Sequence, residues 1–439
     1  MSNQTLQLTI DAMTSEGHGI GRRGRDVYFV PGALPGETVT VVLNGRRKKV
    51  WQTRLLSVDK VSEQRTEPEC PHYQRCGGCD LQHLSYQAQV DIKQQRVERE
   101  FDRQKLTVAE WAAPLTDTPW HYRRKARLGI RYSRERGELY VGFREGRSEH
   151  LTNIDRCQVL PDLPVLDWSA WRERISLLDA RSKLTQLEVI AADDAIALVL
   201  RSHGRLPAED TKRLVTWMAE LDTRQRLPLQ LWIRESKDSP ERLLYPEEAT
   251  PLHHHVLDMS LQLQLTDFFQ VNGAVNRAMV VQAMEWLKPS ADSVVWDLFA
   301  GHGNFSMPLA TMTRHVVAVE GQQSMVDSLS RQAESLALPL QAIRADLADQ
   351  EALAALPEPD AVLLDPPRAG AVAVVEQLVR RGVPRVLYVS CDPATLARDL
   401  RTLCDGGYSI EQAGMMDMFP QTHHVETMVL LSTPEARHG

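Results

Sequence analysis

From about residue 266 to the C-terminus, the chain alternates short apolar runs with segments of helical periodicity. The apolar runs are V-V-W-D-L-F-A, H-V-V-A-V-E, L-Q-A-I-R-A-D, A-V-L-L-D-P-P and R-V-L-Y-V-S-C. This alternation is typical of parallel strands joined by helices, because each helical crossover covers a face of the sheet. The sequence therefore predicts a doubly wound, Rossmann-like α/β domain over residues 266–439. Ligands of such sheets bind beyond the carboxyl ends of the strands, so the residues that end these runs are the first functional candidates.

The composition is that of a globular protein, with 43% hydrophobic and 25% charged residues among 439. This length allows two or three domains. The first residues lack the basic and apolar regions of a signal peptide, and no run approaches the roughly 18 apolar residues of a membrane span. We therefore expect a cytoplasmic protein without a membrane partner, and nothing in the sequence requires more than a monomer.

The first 60 residues predict a small all-β domain. Runs rich in β-branched residues alternate with Gly- and Pro-containing turns such as E-G-H-G-I-G, and four or five strands in this length are typical of an OB-type barrel. Nine Lys and Arg against five Asp and Glu make the segment basic, although the whole chain carries a net charge of -7. We interpret it as a nucleic-acid-binding barrel, with a structural barrel as the alternative.

A second basic segment, residues 121–150, holds nine Lys and Arg against four Asp and Glu. It follows a predicted helix over residues 85–105 and is typical of a β-hairpin around the turn R-E-R-G-E. Alternation along the first strand places Arg127 and Arg131 on one face. This face is a candidate surface for phosphates, and the alternative is a pair of solvated arginines.

The six cysteines are unevenly distributed, and three of them, Cys70, Cys76 and Cys79, lie within ten residues. In a cytosolic chain of this size, such clustering favours a metal site or catalysis over disulfides. Sets of four thiolates bind zinc as well as iron–sulfur clusters. The C-x5-C-x2-C spacing matches neither the ferredoxin run nor the C-x3-C-x2-C of radical enzymes, so radical chemistry is not expected.

The first apolar run of the α/β part leads into D-L-F-A-G-H-G-N-F, whose glycines allow a ligand to approach the backbone closely. Glu320 ends the next strand, 19 residues after Gly301, where an acid can accept from both hydroxyls of a ribose. Asp346 ends the third strand, where it can meet an adenine amino group. The third glycine of the dinucleotide fingerprint is missing, so an adenosine ligand without a pyrophosphate, such as S-adenosylmethionine, fits better. The alternative is a tight turn that binds nothing.

The fourth and fifth strands end in Asp365 and Cys391. Two prolines after Asp365 fix the backbone there. Asp392 can cap the following helix, and Pro393 suits its first turn. Because a helix N-terminus favours a thiolate, we predict that Cys391 is a nucleophile, with burial in the core as the alternative. Glu426, before the last strand, is a candidate base, with a surface residue as the alternative.

Several further residues carry weaker signals. Arg368 stands where amine methyltransferases carry an aromatic residue after Asp-Pro-Pro, which argues against amine methylation. Residues 253–255, three histidines, are interpreted as a loop rather than a metal site. His423 and His424 adjoin Glu426 and are candidates for orienting it, and Cys404 is interpreted as a packing residue.

Five motifs in order resemble the RNA uracil-C5 methyltransferase family: D-F-F-Q-V-N (267–272), D-L-F-A-G-H-G-N-F (297–305), L-D-P-P-R (364–368), S-C-D-P-A-T (390–395) and F-P-Q-T-H-H-V-E-T (419–427). The resemblance extends over the whole chain and implies a class I methyltransferase fold. It implies that Cys391 adds to C6 of uracil, that C5 takes the methyl group of S-adenosylmethionine, and that Glu426 removes the C5 proton. The positions implied to surround the cofactor are Gln270, Phe299, Asn304, Glu320, Asp346 and Asp365; among them, Asp365 and Gln270 are also candidates for contact with the base.

The N-terminal half resembles the family members that act on 23S ribosomal RNA. Its barrel resembles a TRAM domain, which the tRNA-acting bacterial members lack. Cys70, Cys76, Cys79 and Cys157 resemble the four ligands of a [4Fe–4S] cluster, although the spacing alone does not exclude zinc. The implied organisation is an RNA-binding barrel over residues 1–62, a central α+β domain with the cluster and the basic hairpin over 63–265, and the methyltransferase domain over 266–439.

The leading hypothesis is therefore an enzyme that methylates C5 of one uridine in 23S rRNA. The same chemistry on tRNA, or on another rRNA uridine, remains open because target choice depends on surfaces rather than motifs. A non-catalytic RNA-binding protein with a relic methyltransferase fold would be expected to lack Cys391 or Glu426, and both are present. A redox-sensing iron–sulfur protein is a further alternative.

Overall fold

The computed structural model describes residues 5–146, 148–349 and 351–437. The first sheet is a closed five-stranded barrel in the order β1-β2-β3-β5-β4. Its strands are β1 (Thr5–Met13), β2 (His18–Arg23), β3 (Asp26–Pro31), β4 (Thr38–Arg47) and β5 (Val50–Lys60). Inward-facing apolar side chains, among them Ile10, Val30 and Val41, fill its interior. The predicted barrel is confirmed.

Strand β2 occupies the glycine-rich stretch that the sequence analysis interpreted as a turn. A Cβ atom added to Gly19 would lie 2.8 Å from the carbonyl oxygen of Ala33, so only glycine allows this close approach of backbone. Here glycine marks a tightly packed strand rather than a change of direction.

The middle of the chain forms a seven-stranded sheet in the order β13-β12-β11-β10-β7-β8-β9. Its elements are β7 (Lys125–Ser133), β8 (Glu138–Arg144), β9 (Leu151–Asn153), α2 (Trp168–Ser176), β10 (Leu184–Ala191), β11 (Ile196–Ser202), α3 (Ala208–Asp222), β12 (Leu229–Arg234) and β13 (Arg242–Tyr245), with a 3-10 turn at Pro164–Leu166. The rings of Trp171 on α2 and Trp217 on α3 pack edge to face in the core beneath this sheet. Strands β7 and β8 form the predicted hairpin, and Arg127 and Arg131 are both exposed on it.

The C-terminal sheet has eight strands in the order β18-β17-β16-β19-β20-β22-β21-β6. Its strands are β6 (Val108–Trp111), β16 (Val294–Leu298), β17 (His315–Glu320), β18 (Leu340–Arg344), β19 (Ala361–Leu364), β20 (Arg385–Ser390), β21 (Ser409–Met416) and β22 (Glu426–Ser432). The helices are α1 (Tyr86–Arg103), α4 (Gly273–Leu287), α5 (Ser306–Ala310), α6 (Gln323–Ser335), α7 (Val372–Arg381) and α8 (Pro393–Asp405), and a hairpin of β14 (Leu252–Val256) and β15 (Met259–Leu263) packs against α4. A further 3-10 turn lies at Glu435–Arg437.

Strands β16 to β20 are parallel, and buried side chains form a separate apolar core on each face of the sheet. Helices α1, α7 and α8 contribute to one core, and α4, α5 and α6 contribute to the other. The predicted doubly wound domain is confirmed. Strands β6 and β21, which the sequence analysis did not predict, extend it at one edge.

Helix α1 and strand β6 lie in the range 63–265 that was predicted to be the central domain, but they pack with the C-terminal sheet. Val97 and Phe101 of α1 are buried in the same core as α7 and α8. Strand β6 pairs in parallel with β21. An amphipathic helix must cover an apolar surface, but its sequence does not say which sheet supplies that surface.

Within the described ranges, no helix combines the length and the apolar character that crossing a membrane requires.

Candidate active site

A cavity of about 970 Å³ opens at the carboxyl ends of β16, β17, β19 and β20. All eight residues that were predicted to act on the cofactor or the base line this one cavity. They are Gln270, Phe299, Asn304, Glu320, Asp346, Asp365, Cys391 and Glu426. Residues separated by more than 150 positions thus meet at the edge of the sheet where a doubly wound fold binds its ligands.

The turn after β16 gives the cavity a floor made of backbone. Phe299, Gly301 and Gly303 all adopt positive φ angles, of 65°, 57° and 94°. At Gly301 an added Cβ would meet no atom within 4 Å, because this position faces the open cavity. At Gly303 it would lie 2.6 Å from Leu329 Cδ1, so that glycine is needed for packing of the turn on α6.

Two polar side chains on the side of the cavity that was predicted to hold adenosine are held in place by hydrogen bonds. The Glu320 carboxylate accepts from the backbone N–H groups of Gly301, at 3.0 Å, and Gln322, at 2.9 Å. Asn304 exchanges two hydrogen bonds of 2.9 Å with the buried Asn276. Asn276 in turn contacts Nε2 of the buried His254 at 2.9 Å. Preorganised polar groups of this kind can orient a ligand without first losing their own freedom.

Carboxyl groups dominate the other end of the cavity. Burial raises the pKa of Asp365 to about 7. Burial, followed by the nearby Asp365, raises the pKa of Glu426 well above its ordinary value, while Arg368 opposes the shift. Buried acids with raised pKa values suit proton transfer near neutral pH, and they favour a ligand that brings positive charge.

The Cys391 thiol lies between these acids, and its protonation state differs from the sequence prediction. Burial, then the carboxyls of Glu426 and Asp365, raises the pKa of Cys391 to about 11, and Arg368 alone lowers it. The helix N-terminus was predicted to lower the pKa of this thiol, but burial and the two carboxyls outweigh that effect. Asp392 caps α8 as predicted, accepting from the N–H groups of Ala394 and Thr395 at 3.0 and 3.1 Å, and so uses the donors that would stabilise a thiolate.

Arg368 is a site residue whose role the sequence analysis missed. It follows the two prolines after β19, faces Cys391 and Glu426, and lowers the pKa of both. Its guanidinium also donates to Nδ1 of His424 at 2.9 Å. The available signal was its position, three residues after Asp365 at the carboxyl end of a central strand, where any polar residue is a candidate.

The predicted histidine roles are partly corrected. Residues 253–255 form most of strand β14 rather than a loop. His254 is buried against Arg124 and Asn276, whereas His253 pairs with Asp194. Cys404 packs against the core of the C-terminal sheet, as predicted.

The four cysteines predicted to bind a cluster lie near one another. Burial, then the neighbouring thiols, raises the pKa of Cys79 to about 12, and Cys157 likewise has a pKa of about 11. Cys70 and Cys76 are among the thiols that raise both values. In the described part of the chain, no group of three or more His, Cys, Asp or Glu side chains is arranged to hold a metal ion.

The doubly wound sheet, the glycine turn after its first strand and the acids on the next two strands define a Rossmann-like methyltransferase. A family model described as tRNA (Uracil-5-)-methyltransferase matches residues 85–434, and a TRAM domain model matches residues 1–44. The chain belongs to the RNA uracil-C5 methyltransferase family.

Individual relatives match nearly the full length. The 23S rRNA (uracil(1939)-C(5))-methyltransferase RlmD of Halomonas elongata is 40% identical over 447 residues, covering 98% of this chain and 90% of the relative. The protein of the same name from Shewanella frigidimarina is 36% identical over 444 residues, covering 97% and 95%. The fold matches the crystal structure of the Pyrococcus abyssi tRNA (uracil-54, C5)-methyltransferase in complex with S-adenosyl-L-homocysteine, with a TM-score of 0.74, 21% identity and coverage of 97% and 99%.

Proposed function

We propose that this protein transfers a methyl group from S-adenosylmethionine to C5 of one uridine in 23S rRNA. The observation that carries the proposal is a single cavity lined both by a thiol and two acids, the buried Glu426 and the half-buried Asp365, and by the residues suited to adenosine. The 23S rRNA substrate is supported by the names of relatives that are 36% and 40% identical over nearly the whole chain. The TRAM match at the N-terminus supports an RNA substrate but does not by itself choose between 23S rRNA and tRNA, since the tRNA methyltransferase structure also aligns over nearly the whole chain.

The adenosine side of the cavity would hold S-adenosylmethionine through the residues that the sequence analysis assigned to it. Glu320 would accept from the ribose hydroxyls, Asp346 would face the adenine amino group, and Phe299 and Asn304 would line the site between them. When bound, S-adenosylmethionine supplies an electrophilic methyl group on a positively charged sulfur. The carboxyls of Asp365 and Glu426, in their ionised forms, complement that charge.

The base side of the cavity would carry out the covalent steps. The sulfur of Cys391 forms a bond to C6 of uracil, which makes C5 a carbon nucleophile, and C5 then takes the methyl group. Glu426 accepts the proton from C5, and the C6–sulfur bond breaks to release the product and Cys391. Glu426 must therefore be ionised at that stage, and Arg368 favours its ionised form.

The thiol proton of Cys391 must leave before the sulfur attacks. Asp365 faces the thiol, and its pKa of about 7 allows it to accept a proton near neutral pH. This leaves Glu426 available for the later proton transfer from C5. Gln270 lines the same end of the cavity and would orient the base.

RNA would contact the barrel and the basic hairpin, and the target base must leave its stack to reach Cys391. A groove of about 430 Å³ beside β7 and β8 is lined by Arg127, Arg131 and Arg144 together with Gly77 and Gly78 of the cysteine-rich stretch. Backbone and guanidinium groups of this kind suit phosphate oxygens. Glu188, which pairs with Arg127 at 3.2 Å, reduces the local positive charge.

We also propose that Cys70, Cys76, Cys79 and Cys157 hold a [4Fe–4S] cluster. The proposal is supported by the effect of Cys70 and Cys76, which raise the pKa of both Cys79 and Cys157, and by the fact that thiolates are the ligands that such clusters require. Burial disfavours the isolated thiolates of Cys76, Cys79 and Cys157, so a bound cation would stabilise their ionised forms. The cluster has a structural role here, because no residue of the proposed reaction depends on electron transfer. We expect a cytoplasmic monomer.

The test uses 23S rRNA fragments that contain 5-fluorouridine, mixed with protein and S-adenosylmethionine. Fluorine cannot leave as a proton does, so the adduct should be trapped after methyl transfer as a protein–RNA band that resists denaturation. We expect this band with one 23S rRNA region and not with Cys391→Ala. A band with tRNA alone would keep the chemistry and replace the substrate, and no band with either RNA would overturn the proposal.

A further inference from the structure

The segment 417–425 joins β21 to β22 and leads directly into Glu426, and side chains from outside the C-terminal sheet hold it. The backbone N–H groups of Asp80 and Leu81 both donate to the carbonyl oxygen of Gln421, at 3.0 and 3.1 Å. The Asp80 carboxylate also bonds Nδ1 of His423. Asp80 directly follows Cys79, so the cysteine-rich stretch is in direct contact with the segment that precedes the proposed base.

Helix α1 adds a second set of contacts to this segment through Gln89, which is 1% exposed. Its Nε2 donates to the carbonyls of Leu81 and Leu84, at 3.1 and 2.9 Å, and contacts Oε1 of Gln421 at 3.0 Å. Its Oε1 accepts from the backbone N–H of Gln421 at 2.9 Å. Since Gln421 has a φ of 68°, which is unusual for a residue with a side chain, these bonds select a conformation that the segment would not favour alone.

One turn further along α1, Lys93 contacts the start of the same segment. Its buried ammonium donates to the Asp417 carboxylate at 2.6 Å and to the carbonyl of Phe419 at 3.0 Å. Buried and paired polar groups are costly to rearrange, so the segment has one defined position relative to α1.

The other side of the segment faces the proposed nucleophile. His424 accepts from the Arg368 guanidinium at 2.9 Å and packs edge-on against the Phe419 ring. Arg368 is the cation that lowers the pKa of the Cys391 thiol, and the other charged groups facing that thiol are Glu426 and Asp365, which raise it. The position of the guanidinium therefore affects how readily the thiol ionises.

We propose that Asp80 and Gln89 are positioning residues: they hold the 417–425 segment so that His424 keeps the Arg368 guanidinium beside the Cys391 thiol. The inference rests on the proposed function, in which Cys391 is the nucleophile. It gives the cysteine-rich stretch a role in the reaction that needs no electron transfer. Loss of these contacts slows attack by Cys391 while the fold and the RNA contacts remain.

The experiment measures the pH dependence of Cys391 alkylation by iodoacetamide, with mass spectrometry of the Cys391 peptide and no RNA present. The variants are Asp80→Ala and Gln89→Leu, with Arg368→Gln as the reference. Asp91→Ala is the matched control. Asp91 is exposed on α1, the helix that carries Gln89, and the one hydrogen bond described for its side chain is to Gln87. Iron content and circular dichroism are recorded for each variant.

We expect the midpoint of alkylation to move to higher pH in Asp80→Ala and Gln89→Leu, in the same direction as in Arg368→Gln. A shift of half to one pKa unit lowers the thiolate fraction, and hence the rate at pH 8, about 3- to 10-fold. The double variant Asp80→Ala/Arg368→Gln should match Arg368→Gln alone, because the first residue acts through the second. In methylation assays, kcat should fall while KM for RNA stays within about 2-fold.

Alkylation profiles like those of the wild type and Asp91→Ala, in both Asp80→Ala and Gln89→Leu, would overturn the inference. If Asp80→Ala loses iron, Gln89→Leu decides, since Gln89 lies outside the cysteine-rich stretch. If Gln89→Leu does not fold, Gln89→Glu replaces it, since it keeps the acceptor for the Gln421 N–H, and an unshifted profile there counts equally against the inference. A shifted profile with no 5-fluorouridine band on any RNA would reject the proposed function and leave the positioning intact.

Discussion

Cys391 and the cysteine cluster, represented by Cys79 and Cys157, are alike in being half-buried and in having raised thiol pKa values, but their neighbours differ. Cys391 is half-buried and faces two carboxyls, one guanidinium and an open cavity. Cys79 and Cys157 are also half-buried, but the charged groups that follow burial in raising their pKa are other thiols. A raised thiol pKa therefore does not distinguish the proposed nucleophile from the proposed cluster ligands. The acids, the cation and the space for a substrate make that distinction.

The largest expected effect is on the isolated thiol. Cys391→Ala should reduce methyl transfer below detection, because no other group in the cavity can add to C6, while the affinity for S-adenosylmethionine stays within a few fold. Turnover on 23S rRNA and calorimetric binding of the cofactor measure the two quantities. Cys404→Ala, at a packing position, is the control and should keep turnover. Methylation by Cys391→Ala would show that the nucleophile assignment is wrong.

The neighbouring base should give a smaller loss with a distinct signature. Glu426→Gln keeps the size of the side chain but removes its ability to accept the C5 proton, so turnover should fall about 10²- to 10⁴-fold. The Cys391–uridine adduct should accumulate on unmodified RNA, since only its breakdown is blocked. Denaturing gels with labelled RNA detect it. Without that adduct, the base must be another group.

The grouped thiols should respond through iron and stability. Cys79→Ser should lower the iron content and reduce the midpoint of thermal unfolding by roughly 5–10 °C, because the free energy of cluster binding contributes to folding. Metal analysis and calorimetry provide the two readouts, and Cys404→Ser is the matched control. An unchanged iron content in Cys79→Ser would show that Cys79 is not a ligand. Zinc instead of iron in the wild-type protein would show that the site binds zinc rather than an iron–sulfur cluster.

The smallest expected effect concerns pH. The pKa of Asp365 is raised by burial to about 7, so its carboxylate forms as the pH rises through that value. The cofactor carries a positive charge, and its affinity should be about 3- to 10-fold higher at pH 8 than at pH 6. Because this pKa lies above that of the unfolded carboxyl, the unliganded protein should lose stability as the pH rises from about 4 to about 7, with little further loss above that value. In Asp365→Asn, both the cofactor affinity and the stability should depend less on pH, as measured by calorimetry and thermal shift. If either pH dependence is unchanged in this variant, another group is responsible for it.

The sequence predicted the parts of the fold that depend on local pattern. The apolar runs at 294–298 and 385–390 are β16 and β20, and the N-cap at Asp392 forms as expected. Strand β2 was missed because its glycines are typical of a turn, and only the contact of Gly19 with Ala33 explains them. The edge strand β6 was missed because it is four residues long and is stabilised by pairing with β21, about 300 residues away.

The residues of the site were predicted to a similar extent. The predictions about the site that were wrong or missing also concern contacts between elements that are distant in the chain. Glu320, Asp365 and Cys391 end or directly follow strands, so their position along the chain was enough to select them. Gln270, Phe299 and Asn304 were selected through the resemblance to the family, and Glu426 begins β22. The protonation of Cys391 was not predictable, because it depends on Asp365 and Glu426, which come from two other elements. Arg368 was judged by the residue type it replaced, whereas its role follows from His424 and Cys391.

The sequence by itself determined the doubly wound sheet and the barrel, because periodicity is a local property of the chain. Its motifs also indicated the family and the residues around the cavity, through their resemblance to the motifs of that family. Only the tertiary structure decided which sheet receives α1, how burial and facing charges set the pKa of Cys391, and that Asp80 and Gln89 hold the segment before Glu426. These properties depend on distances between residues that are up to 343 positions apart, and such distances exist only once the apolar surfaces have packed.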